Sequence, residues 1–123
     1  MMADELKVQL KSTLTNGGLS ETFGTSTFLS FDQNVQGSHG TTAIVGTGEE
    51  IMTSGDITTP GWLFMKNLDT GNYVEYGPDS SGMVTFGKLK PSEVACMRIH
   101  PNVVVKWKAD TADCRVQMLF LDD

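Results

Sequence analysis

The chain has 123 residues, the size of one domain, and it can bury a hydrophobic core without a metal or a disulfide framework. Fifteen acidic and nine basic residues give a formal net charge of −6. Because phosphate contacts need clustered lysine and arginine, this balance argues against a nucleic-acid-binding protein.

The N-terminal segment predicts two short strands joined by a tight turn. A strand is predicted over residues 6–14, in which Leu6, Val8, Leu10 and Leu14 share one face, with Ser12 among them. The Asn-Gly step at residues 16–17 is a strong hairpin signal, and residues 19–23 supply the return strand. Few large apolar residues occur here, so residues 1–26 are predicted to form an extended arm or an edge hairpin. Such a segment can add a strand to a neighbouring subunit.

The middle of the chain predicts further short strands separated by turns. Residues 27–32, 41–45 and 49–53 are rich in β-branched or aromatic side chains. Residues 34–40 are polar and contain glycine, which predicts a loop. This region therefore continues an all-β pattern.

The second half carries the stronger core pattern and holds both tryptophans. Strands are predicted at residues 62–65, 73–76, 83–86, 94–99, 103–108 and 114–121. A bend is predicted at residues 87–92, which contain a proline. Residues 62–65 form a continuous apolar run, which is typical of a strand covered on both faces.

Together these elements predict a single β domain over residues 1–123. Roughly eight to ten short strands at even spacing are typical of an antiparallel β-sandwich. We expect a jelly-roll or immunoglobulin-like sandwich, with a small β-barrel as the alternative. A parallel sheet is disfavoured because no helical pattern lies between the strands.

The two cysteines do not form a framework. Cys96 and Cys114 both lie in apolar runs and lack the spacing of a zinc site. We expect two reduced thiols in the core, and a disulfide between them is the alternative.

Ionisable residues do not form a catalytic pattern. His39 lies in the predicted loop and His100 in a turn, and neither has a triad-like context. The adjacent Glu49 and Glu50 point to opposite faces of a strand, so they cannot share a substrate. Asp69 with its neighbouring asparagines has oxygen ligands but lacks the EF-hand pattern. We therefore predict no catalytic, cofactor-binding or metal-binding residue and expect a non-enzymatic protein.

Aromatic side chains offer another kind of binding. Trp62, Tyr73, Tyr76 and Trp107 could together stack on sugars, although core packing is the expectation for both tryptophans. Tyr73 and Tyr76 fall on opposite faces of a strand, so at least one should reach the surface. The predicted interaction residues are therefore Leu6, Val8, Leu10, Tyr73 and Tyr76.

No membrane segment is predicted, because no apolar run approaches about 18 residues. The first five residues lack the basic start and apolar block of a signal peptide. We therefore expect synthesis in a cytoplasm.

Several blocks of the second half resemble small proteins encoded by tailed bacteriophages and prophages. The likeness spans a little over half of the chain and is carried by Gly55–Phe64, Lys66–Gly77, Phe86–Glu93 and Trp107–Asp113. The resemblance implies a structural protein of the virion that binds other virion proteins and forms homo-oligomers. Capsid decoration through the major capsid protein is the first expectation. A tail, neck or baseplate component and a carbohydrate-binding module for host attachment are the alternatives.

Overall fold

The computed structural model describes residues 5–33 and 35–123, and every regular element in them is a β-strand. Twelve strands follow one another along the chain: β1 (Leu6–Val8), β2 (Lys11–Asn16), β3 (Leu19–Gly24), β4 (Leu29–Phe31), β5 (Ser38–Val45), β6 (Glu50–Ile51), β7 (Pro60–Asn67), β8 (Val74–Pro78), β9 (Gly87–Leu89), β10 (Val94–Arg98), β11 (Val105–Ala109) and β12 (Cys114–Asp122). The predicted all-β class is confirmed.

The chain divides into two compact units, Met1–Val35 and Gln36–Asp123. Among the described residues, the buried hydrophobic side chains all lie between Val45 and Phe120, within the second unit. The predicted arm, residues 1–26, falls inside the first unit, and its first four residues lie outside the described part of the chain.

The first unit is a long, irregular hairpin, which we refer to as the N-terminal hairpin (residues 6–31). β2 pairs with β3, and β1 pairs with β4, both antiparallel. Gly17 opens the two-residue turn with φ +58°, a conformation that tight hairpin turns require. The pair Val8–Leu29 ends one ladder and the pair Lys11–Gly24 begins the other. Three steps along the chain separate Val8 from Lys11, but five separate Gly24 from Leu29, so the second segment carries a two-residue bulge. Gly24, with φ +83°, lies at this bulge, where a Cβ would collide with the carbonyl of Leu10.

The second unit is built from two four-stranded antiparallel sheets. The first sheet has the strand order β10-β7-β12-β5, and the second has the order β6-β11-β8-β9. Neither sheet closes on itself within the described residues, so the small-barrel alternative does not describe this unit.

The pairing identifies the sandwich as a jelly roll. Strands pair from the outside inwards: β5 with β12, β6 with β11, β7 with β10, and β8 with β9. This is the pattern of one long hairpin that is rolled up, and the rolling brings β7 beside β12 and β8 beside β11. Eight strands wound in this way form the double Greek key of a jelly roll.

Alternation along the strands fills the space between the sheets. In β12 the residues at every second position, from Cys114 through Val116 and Met118 to Phe120, are buried. The second sheet contributes Trp107 and Tyr76, which are cross-strand neighbours in the same core. The predicted period-two pattern of β12 is confirmed.

Three local predictions were wrong. Residues 87–92 were predicted as a bend, but Gly87–Leu89 form β9. Residues 83–86 were predicted as a strand, yet they are irregular, although Val84 and Phe86 donate hydrogen bonds to β8 carbonyls. The predicted loop at residues 34–40 ends earlier, because β5 begins at Ser38; Asn34 lies outside the described residues.

A buried asparagine holds the connection between β7 and β8. The Asn67 Nδ2 donates to the carbonyl oxygens of Asn72 (3.0 Å) and Leu89 (2.9 Å). Its Oδ1 accepts from the Asp69 N–H (2.8 Å) and the Cys114 thiol (3.4 Å). Asn67 is fully buried, and satisfied polar groups of this kind fix a unique local structure.

The same connection makes a testable pH dependence. The N–H groups of Asn72 (2.7 Å) and Gly71 (3.0 Å) donate to the Asp69 carboxylate and hold its pKa below the ordinary value of 3.8. A depressed pKa stabilises the fold above pH 3.8, and this contribution is lost as the pH falls through the lower folded value. We expect the urea midpoints of the native chain and of Asp69→Asn to converge as the pH drops below 3.8. A difference that stays constant with pH would contradict this role.

Candidate protein-binding surface

The N-terminal hairpin has one apolar face and one polar face. Residues that are directly opposed in an antiparallel pair share a face. Phe23 opposes Ser12, Leu14 opposes Glu21, and Leu19 opposes Asn16, so the three apolar side chains lie together. The other face is polar throughout: Lys11, Thr13, Thr15, Ser20 and Thr22. We refer to Leu14, Leu19 and Phe23 as the hairpin apolar face.

The apolar pattern continues into the second ladder of the hairpin. Leu6 opposes Phe31, and Val8 opposes Leu29, so these four side chains also share one face. The bulge inserts two residues, an even number, and therefore preserves the alternation along the strand.

The hairpin apolar face is open to solvent. Every residue of β2 and β3 is exposed, and Phe23 retains 70% of its accessible surface. A two-stranded hairpin is at best marginally stable in water, because it cannot bury its own side chains. Full burial of a leucine or phenylalanine side chain contributes about 1.5–3 kcal/mol of stabilising free energy. Packing a protein surface against this face would therefore bury these side chains and contribute favourable free energy to binding.

The structure places the predicted hairpin residues as follows. Leu10 is 53% exposed and lies in the irregular step between β1 and β2. Leu6 and Val8 are half-buried in β1. All three lie on the hairpin; Leu10, Leu14 and Leu19 are similarly exposed, and Phe23 is more exposed than any of them. The sequence pattern placed Leu14 on the predicted strand face and Leu19 on one face with Phe23, but the charged Glu21 between them argued against an apolar face there.

Tyr73 lies just before β8 and is partly buried. The Lys88 ammonium sits 3.9 Å from the centre of its ring, a cation–π geometry. A hydrogen bond with the Asp110 carboxylate, together with its negative charge, raises the pKa of the phenol. Both the ring and the hydroxyl of Tyr73 therefore already have partners within the chain.

Tyr76 is a correction to the predicted interaction set. It faces the core and is only 9% exposed, so its ring cannot meet a partner at the surface. The physical reason is the register of β8, which pairs Tyr76 with the buried Trp107. The four aromatic residues consequently do not form a shared platform for sugars, since Trp107 also points inwards.

A second apolar surface covers the outer face of the first sheet. Trp62 and Phe64 alternate with the buried Leu63, so they point away from the core; their rings stack at 5.9 Å. Their neighbours on β12 are Leu121 and Leu119. Residues 62–65 were predicted to be covered on both faces, and this was wrong: Trp62 and Phe64 are only half-buried.

The cysteines are both free and have different surroundings. Cys114 is a core residue, as predicted, whereas Cys96 lies on the outer face of β10 and is exposed, which corrects the prediction of two core thiols. Burial raises the pKa of the Cys114 thiol, and partial shielding from water by neighbouring atoms raises that of Cys96. The pairing alternative is not realised in this structure.

This arrangement makes a prediction for thiol labelling. In the native chain we expect a disulfide reagent to modify Cys96 and to modify Cys114 only after denaturation, because a buried thiol has no access to the reagent. Cys96→Ser should remove the native reaction, and Cys114→Ser should leave it. A disulfide reagent releases one reporter thiol for each cysteine that it modifies. Release of two reporter thiols per native chain would show that the strand register at Cys114 is wrong.

The ionisable groups that sequence patterns singled out do not converge. His39 lies in β5, where its cross-strand partner is Phe120, and not in a loop as predicted. The Nδ1 of His100 accepts a hydrogen bond from the Asn102 N–H (3.2 Å) within a turn, as predicted. Lys106 is held by Asp79 (3.4 Å) and Glu49 (3.7 Å). These pairings and contacts give His39, His100 and Lys106 structural roles in the fold.

Within residues 5–33 and 35–123, no group of three or more histidine, cysteine, aspartate or glutamate side chains is placed to hold a metal ion. The same residues contain no helix with the length and apolarity needed to cross a bilayer.

The second unit also contains a cleft of about 320 Å³. Its lining includes Ile51, Ile99, Val103, Val104 and Phe120. Thr53, Ser54 and Thr58 also line it, so the cleft combines apolar walls with hydroxyl groups.

Comparison of the chain with protein-family models, curated proteins and solved structures found no match.

Proposed function

We propose that this protein is a structural component of a tailed-bacteriophage virion, acting as a capsid decoration protein that binds the major capsid protein. The observation that carries the proposal is the hairpin apolar face, where Leu14, Leu19 and Phe23 are exposed together on a two-stranded ribbon. Apolar side chains that are grouped and exposed on one face are a feature of protein–protein contact surfaces.

The character of the ribbon favours a protein partner. Both edges of a two-stranded hairpin carry unpaired N–H and C=O groups, so a partner can add a strand as well as cover the apolar face. Main-chain pairing supplies affinity, and the alternating side chains supply specificity. A virion lattice presents many identical copies of such a partner at fixed spacing.

The jelly-roll fold of the second unit is compatible with a structural protein. Jelly rolls occur in viral capsid proteins and in lectins, but a fold alone does not assign a function. The preference for a virion role over a lectin role rests on the sequence resemblance of Gly55–Phe64 and Lys66–Gly77 to phage-encoded proteins, for which the comparisons found no match. The inward orientation of Trp107 and Tyr76 weakens the carbohydrate-binding alternative further.

The test is quantitative mass spectrometry of purified particles produced by the phage or prophage that encodes the chain. We expect the protein in a fixed ratio to the major capsid protein. Electron microscopy of the same particles then distinguishes density on the capsid from density on the tail, neck or baseplate. Particles that assemble normally and contain none of the protein would overturn the proposal.

A further inference from the structure

The jelly roll has one sheet edge that differs from the other three. β5 is the last strand of the first sheet and pairs on one side only, with β12, over eight residues. The remaining outer strands are short: two residues in β6, three in β9 and five in β10. β5 therefore presents the longest row of main-chain groups without a neighbouring strand in the described part of the chain.

This edge lacks the features that normally prevent strand pairing. Natural edge strands carry charges, prolines or bulges that block a second chain. The β5 sequence, Ser-His-Gly-Thr-Thr-Ala-Ile-Val, has no lysine, arginine, acidic residue or proline, and its register with β12 is unbroken. By contrast, β10 ends in Arg98.

The exposed side chains of β5 are compatible with a copy of themselves. Its even-numbered residues point outwards with Gln117 and Leu119 of β12, whereas its odd-numbered residues are paired with the core residues of that strand. Opposed residues of an antiparallel pair must share a face. Pairing centred on Thr42 meets this condition and places Ile44, which is 58% exposed, opposite Gly40 of the other copy. An exposed isoleucine thereby covers a position that has no side chain.

The inner side of the edge also has room for a second strand. A cavity of about 250 Å³ lies beside β5 and is lined by Thr41, Ala43, Ile51 and Trp107, among others. Inward side chains of an added strand can be accommodated there.

We propose that two copies of the chain associate through their β5 strands, antiparallel across a two-fold axis centred on Thr42, to form a continuous eight-stranded sheet. Two-fold pairing of one surface with itself is the commonest form of homo-oligomer. The proposal depends on the jelly roll alone. It holds or fails independently of the virion role and of the hairpin apolar face.

Cysteine cross-linking of the full chain tests the axis directly. In a Cys96→Ser background, Thr42→Cys places two thiols on the proposed axis, where opposed Cβ atoms are about 5 Å apart. Gln117→Cys is the matched control, since it lies on the same outer face but about 14 Å from its counterpart across three strand spacings. Mild oxidation is expected to convert most of the Thr42→Cys chain, and little of the control, to a covalent dimer. Equal cross-linking of the two variants would overturn the proposal.

Sedimentation equilibrium supplies an independent test without a cross-link. Thr42→Lys places two ammonium groups against each other on the axis and is expected to raise the dimer dissociation constant up to about fivefold, since like charges directly opposite destabilise strand pairs. Gln117→Lys is the control and should leave that constant unchanged. A native chain that stays monomeric at all concentrations, or a dimer that Thr42→Lys does not weaken, would also overturn the proposal. So would a dimer that is abolished by Phe23→Ser.

Discussion

Truncating Phe120 to alanine is expected to lower the free energy of unfolding by about 3–5 kcal/mol, the usual cost of a phenylalanine-to-alanine change in a packed core. Phe120 is 2% exposed and is one of the largest fully enclosed side chains of the jelly roll. The loss combines the lost transfer of the ring from water with the cavity that remains between the sheets. Urea unfolding measures this loss of free energy. An unchanged slope of the unfolding free energy against urea concentration checks that both proteins unfold in two states.

The neighbouring residue supplies the control for this prediction. Leu119 precedes Phe120 in β12 and points to the outer face, where it is half-buried beside Phe64. Leu119→Ala should therefore cost much less than Phe120→Ala. Equal losses for the two variants would contradict the assignment of inner and outer faces, and with it the register of the sheet.

Replacing Leu14 and Phe23 together by serine is expected to abolish incorporation into particles without lowering the thermal stability of the jelly roll. If a partner covers both side chains, each contributes about 1.5–3 kcal/mol to binding. Their joint removal then weakens binding by at least about a hundredfold, since 1.4 kcal/mol corresponds to a factor of ten. Neither residue is buried in the chain itself.

The polar face of the hairpin provides the matched control. Thr13→Ser and Thr22→Ser change two directly opposed residues on that face and should leave incorporation unchanged. Incorporation is measured as the ratio of the protein to the major capsid protein in purified particles. Normal incorporation of the Leu14→Ser/Phe23→Ser chain would remove the hairpin apolar face as the binding surface.

Local patterns in the sequence predicted the strands whose alternation is strict. β12 has large apolar residues at every inward position, and the Asn-Gly step marked the turn of the N-terminal hairpin. β9 was missed because Gly-Lys-Leu followed by Lys-Pro has one apolar residue and reads as a bend. The start of β5 was missed because Ser-His-Gly is polar at an edge, where burial does not require apolar residues.

The binding surface was harder to predict than the fold. A strand pattern reports that one face is apolar, and it does not report whether that face is covered. Trp62 and Phe64 therefore looked like core residues, and Tyr76 looked available, until the register of their strands was known. Strand order arises from pairing between distant segments, which no local pattern contains.

The most direct test of the central claim is the accessibility of position 23 before and after assembly. A Phe23→Cys chain in a Cys96→Ser background should react rapidly with a maleimide when isolated at low concentration, and slowly when it is part of purified particles. Thr22→Cys, on the polar face, should show the smaller change. Protection of position 23 on assembly is the result that a protein-binding hairpin face predicts, and equally rapid labelling in both states would contradict it.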